Sequence, residues 1–177
     1  MIDQAFRQGL HTWPKPLKIF LTGFIFLLTS GVSTGLVFLF STTSFTATGT
    51  VEHYNGSPVS PGDTISIQEK YPKPIPEMLL TTHNHFIGFS FIFFILGGLF
   101  YFNSTITGRL KHFLLIEPFV STWLTFASIW GIRFITPNFV YISVAAAVLT
   151  YISFYLLVGI LTYELTLKKI HFERLSR

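Results

Sequence analysis

The chain has 177 residues, half of them hydrophobic and 11% charged, with a formal net charge of +4 and no cysteine. A soluble domain carries about 25% charged residues, so the composition indicates an integral membrane protein, and nothing in the modest charge suggests a nucleic-acid partner. The lack of cysteine excludes disulfides, thiolate-held clusters and covalent haem attachment through a Cys-x-x-Cys-His motif.

In chain order, Ile2, Phe6, Leu10 and Trp13 fall on one face at helical spacing, as in a short helix lying in the membrane interface, with a frayed terminus as the alternative. Trp13-Pro14-Lys15-Pro16 then breaks that helix and anchors the entry to the membrane. Four apolar runs follow, each reaching the roughly 20 residues a bilayer requires. They place membrane helices at about 17–40, 84–102, 110–134 and 139–167. The first run is read as a retained helix, because it is long and no Ala-x-Ala site follows it. It contains Gly31-Val-Ser-Thr-Gly35, a small-xxx-small pattern that permits close helix contact.

Residues 41–82 form the one substantial polar segment. Ser44–Tyr54 and Thr64–Tyr71 suit strands, and the stretch from Asn55 to Asp63 is dense in turn residues. The reading is a small extracytoplasmic β-hairpin on a four-helix all-α membrane bundle. Pro72, Pro74 and Pro76 then lead the chain back, extended, to the second membrane helix. Lysine and arginine concentrate before the first helix, between the second and third, and after the fourth. The positive-inside rule therefore puts both termini in the cytoplasm of a bacterial inner membrane and the 41–82 segment outside.

Six histidines divide across this topology. His11, His112 and His171 lie on the cytoplasmic side near basic residues and are read as interfacial. His53, His83 and His85 lie on the outer side. Neutral imidazole ligates transition metals and haem iron, so these three are the candidate metal set. Side chains two apart on a helix point about 200° from one another. His83 and His85 therefore share one ion only if the helix begins late.

The stretch "THNHFIGFSFIFFILGGLF", residues 82–100, resembles the helix of the haem–copper oxidase superfamily in which a His-x-His precedes a glycine and an apolar run. It also resembles small bacterial four-helix membrane proteins with a Thr-His-x-His stretch. The oxidase resemblance implies that His83 or His85 is an axial ligand of a b-type haem. On that reading Arg133 steadies a propionate, and Trp123 and Trp130, seven apart on one face, pack near the ring. Helices one, three and four have no core histidine, so a binuclear oxygen-reducing centre is not expected. A second axial ligand then comes from His53, from a histidine of a partner chain, or from another ligand type.

Glu117-Pro118 lies about two turns into the third helix. Such a carboxyl needs a partner or a proton, and snorkelling, or pairing with Arg109, Lys111 or Lys168, is the simplest expectation, with proton handling or a quinone contact as the functional one. Glu164, nearer the cytoplasmic end, is read as solvated or paired. No nucleophile elbow, zinc-protease motif or phosphate-cradling glycine loop is present. The function expected is a non-catalytic subunit of a respiratory or photosynthetic electron-transfer complex, with lipid and other membrane subunits as partners. Its cofactor is a b-type haem, or alternatively copper or zinc. The alternatives are a structural subunit without cofactor and a small metal-handling transporter.

Overall fold

The computed structural model describes residues 9–58 and 70–168. Five helices build the described chain: α1 (Lys15–Thr43), α2 (Ala47–Asn55), α3 (Ile75–Tyr101), α4 (Gly108–Phe134) and α5 (Phe139–Thr162), the last continued by a π-helical turn at Tyr163–Leu167. A 3₁₀ turn at Leu10–Thr12 precedes them. Four helical spans (Lys15–Thr43, Ile75–Tyr101, Gly108–Phe134 and Phe139–Leu167) are long and apolar enough to cross a membrane, as the hydrophobic runs predict. The proposed interfacial helix at 2–13 lies largely outside the described residues.

The expected β-hairpin is corrected: among the described residues there is no strand, and 47–55 is a helix. Threonine, valine and tyrosine favour strands, but Thr46 sits at the helix N-cap, where its side chain accepts from Gly49 N at 2.9 Å. A cap of this kind satisfies a backbone donor that the first turn leaves unpaired. Ser44 and Phe45 turn the chain between α1 and α2 at φ 51° and 54°. Gly49 is required by packing, since a Cβ there would lie 2.2 Å from Thr43 O. Most of the second strand candidate, Thr64–Tyr71, falls outside the described residues.

The start of α3 is also corrected. It begins at Ile75, nine residues before the expected Asn84, with Pro74 as its N-cap. Proline is tolerated in the first turn, where no intrahelical donor is lost. His83 and His85 therefore both lie inside the helix, and neither Thr82 nor Asn84 caps it.

The tightest helix pair is α4 with α5. Small and polar side chains face each other there in antiparallel register. Ser153 Oγ donates to Glu117 Oε2, and Thr150 Oγ1 donates to Ser121 Oγ at 2.7 Å. A Cβ on Gly131 would lie 2.5 Å from the Phe139 ring. Pro118 lies within α4. The expected partners of Glu117 were basic; the partner found is Ser153.

At one end of the bundle, Leu21, Ile25, Phe93, Leu96, Phe100, Phe154 and Leu161 belong to one apolar core. Glu164 is fully buried there and ties three segments together. It accepts from Leu10 N at 3.1 Å, Ser104 N at 3.0 Å, Ser104 Oγ at 2.6 Å and Thr105 Oγ1 at 3.2 Å. Of the two expected roles, solvated or paired, the structure shows the paired one, in a buried setting. Because α1 and α5 meet at this end, the first and last spans begin and finish on the same side.

Candidate functional site

At the opposite end α1 leaves the bundle. Gly31 and Gly35 were expected to mark a tight helix contact, yet nothing lies within 4 Å of a Cβ built at either. Both instead face a cavity of about 1460 Å³ bounded by α1, α3, α4 and α5 and roofed by α2. The α1 wall of this cavity runs from Phe24 to Thr43, a rise of about 28 Å at 1.5 Å per residue. Phe24, Leu28, Ile92 and Leu156 line its deep part, and His53, Tyr54, Lys73, Glu77, Thr81 and His85 gather at the roofed end.

His85 reaches the cavity from α3, its ring centroid 5.1 Å from that of Phe126 and 6.0 Å from that of Phe89. Its Nδ1 is 2.8 Å from Thr81 O. A carbonyl only accepts, so Nδ1 carries the proton, and in the neutral ring Nε2 keeps its lone pair. A metal-binding histidine is oriented in just this way, by a carbonyl on its other nitrogen.

His53 belongs to the roof, and its ring meets that of Tyr54 edge-on at 4.9 Å. Its pKa is lowered from the ordinary 6.5, first by burial and then by the charges of Lys73 and Lys70, with Glu77 opposing. It is thereby held neutral, the form that ligates. Burial pushes Tyr54 up to about 12, so its hydroxyl keeps its proton. Lys73 pairs with Glu77 one turn on, and Lys70 lies 4.0 Å from Glu52.

The other expected site residues are placed elsewhere. His83 is exposed and is not a cavity residue, as helix geometry requires once α3 starts early. Arg133 Nε donates to Lys73 O at 3.2 Å, tying the end of α4 to the residues just before α3. Trp130 Nε1 donates to Thr82 Oγ1 at 2.9 Å, tying α4 to α3. Trp123 is 61% exposed and walls a separate pocket of about 170 Å³ with Phe86 and Phe119. His53, His83 and His85 do not come together, and among the described residues no three His, Asp or Glu side chains cluster at metal-binding range.

Sequence reasoning did not find Tyr54, Lys73, Glu77 or Thr81. Lys73 lies outside α3, before its Pro74 N-cap, so no helical spacing announced its pairing with Glu77.

No curated protein and no solved structure matches the chain. Residues 44–172 match a family described as a transmembrane helical domain. That match covers most of the chain, including the roof, the cavity walls on α3, α4 and α5, and both cavity histidines: the protein belongs to the Aq_1264_TM family of transmembrane helical domains.

Proposed function

We propose that the protein is a cofactor-holding subunit of a membrane electron-transfer assembly, with its cofactor at the roofed end of the cavity. The observation that supports this reading is His85 on the cavity wall: its Nδ1–H is spent on Thr81 O, which leaves Nε2 as the nitrogen for a ligand. A b-type haem fits this donor set better than copper or zinc. Zinc sites take three or four protein ligands, and the described part of the cavity offers two imidazoles. His85 is the proposed axial ligand and His53 the second. A haem bound there supplies one-electron transfer, while this chain orients His85 through Thr81, keeps His53 neutral and surrounds the ring with Phe89 and Phe126. Arg133, Trp123, Trp130 and His83 are not part of this proposal. The roofed end faces the outer side of a bacterial inner membrane, following the lysine and arginine distribution.

The test is the reduced-minus-oxidised spectrum of the full-length protein purified in mild detergent, with metal analysis alongside. The expected result is a b-type α-band that His85→Ala abolishes and His83→Ala preserves. A preparation expressed with adequate haem supply that carries neither haem nor metal overturns the reading.

A further inference from the structure

The cavity is larger than one ring-shaped cofactor needs. Small-molecule and cofactor sites occupy about 300–1,000 Å³, against about 1460 Å³ here. The excess lies in the deep part, where Phe24, Leu28, Ile92 and Leu156 present no donor or acceptor side chain.

This deep part also opens sideways. Leu27 on α1 and Val148, Ile152 and Leu156 on α5 line the cavity and are 73%, 51%, 51% and 48% exposed. These residues lie within helices that cross a membrane, so the opening faces bilayer hydrocarbon. One polar strut crosses between the two helices, Ser33 Oγ to Tyr155 Oη at 2.8 Å. On the α1 side Gly31 and Gly35, and on the α3 side Gly88, leave open space where other residues place a side chain.

We infer that the deep part of the cavity is a binding site for one acyl chain of a bilayer phospholipid, entering between α1 and α5. The chemistry favours a chain over a whole lipid. Lys73, the one lysine or arginine among the described residues lining the cavity, is paired with Glu77, and Lys70 lies beside Glu52, so the cavity lining offers no spare cation for a phosphate. The headgroup therefore stays outside the mouth. The chain fills the space that separates α1 from α3 and holds α1 at its distance. This site shares the cavity with the proposed cofactor but stands on different residues.

The experiment uses the full-length protein in phosphatidylcholine vesicles doped with a phosphatidylcholine carrying a diazirine midway along one acyl chain. After irradiation, labelled peptides are mapped by mass spectrometry. The expected result is label concentrated on the cavity-facing residues of α1 and α5, in excess of the outward-facing Phe20 and Phe26. Gly35→Phe is expected to lose the cavity label. Gly98→Phe, which also enters open space but lies off the cavity, is expected to keep it. In His85→Ala the label is expected to persist whether or not a haem band was present, so the two proposals fail separately. Wild-type label spread evenly over inward and outward faces overturns the inference, and so does cavity label that survives Gly35→Phe. If Gly35→Phe does not fold, the wild-type distribution alone decides.

Discussion

At the Glu164 end, α1 packs through Leu21 and Ile25 onto α3 and α5, and a fully buried carboxylate gathers backbone donors from two distant segments. At the α2 end, the buried apolar cluster of the described residues is reduced to Met78, Phe126 and Ile129, and a large cavity stands where α1 should pack. The same four helices thus make a closed base and an open top. Stability is concentrated where no ligand chemistry is offered. The imidazoles lie where packing has been given up, the usual division between a rigid scaffold and a site it positions.

Breaking the base should cost most. Glu164→Ala orphans the buried N–H of Leu10 and the N–H of Ser104. At about 1–3 kcal/mol per stranded donor, the loss is on the order of 2–6 kcal/mol, measurable by denaturant titration of the detergent-solubilised protein. Gly49→Ala should act on the top alone. The new methyl meets Thr43 O, and overpacking of this kind costs about 1–3 kcal/mol. The readout is faster hydrogen exchange at 47–55 with the Glu164 end unchanged.

Acid should loosen the same roof. His53 has a pKa below 6.5 when α2 is docked, so the undocked segment takes up a proton first. The docked state is at full strength above pH 6.5 and weakens as the pH falls below it. Exchange at 47–55 should therefore accelerate on acidification, and His53→Gln should flatten that dependence. The smallest effect is expected at Gly31→Ala and Gly35→Ala. A tight helix contact there would make both destabilising. Open space makes each neutral or more stable by about 0.5–1 kcal/mol, the helical preference of alanine over glycine, as thermal unfolding can show.

The four spans were legible because apolar runs of that length have few other readings. The roof was not. Residues 44–54 carry β-favouring side chains without a clear apolar stripe, and one capping threonine with a tight glycine decided the helix. Pro74 and Pro76 read as extended chain, yet they occupy helix-start positions where proline costs nothing. The separation of His83 from His85 followed from helical geometry alone. Glu164 was illegible because its partners lie 60 and 154 residues away in the chain. The α4–α5 seam left a signal that went unread: Ser143, Ala146, Thr150 and Ser153 recur at helical spacing and are all buried. That is the small-residue pattern attributed instead to Gly31 and Gly35.

Haem binding at the open top through His85 is the proposal on which the functional reading depends. Its most direct test is titration of haem into the full-length, haem-depleted protein in detergent, followed by the Soret band. The expected result is a saturable one-to-one shift that His83→Ala retains, His53→Ala weakens and His85→Ala abolishes. Equal binding by wild type and His85→Ala, or no saturable binding at all, would contradict it.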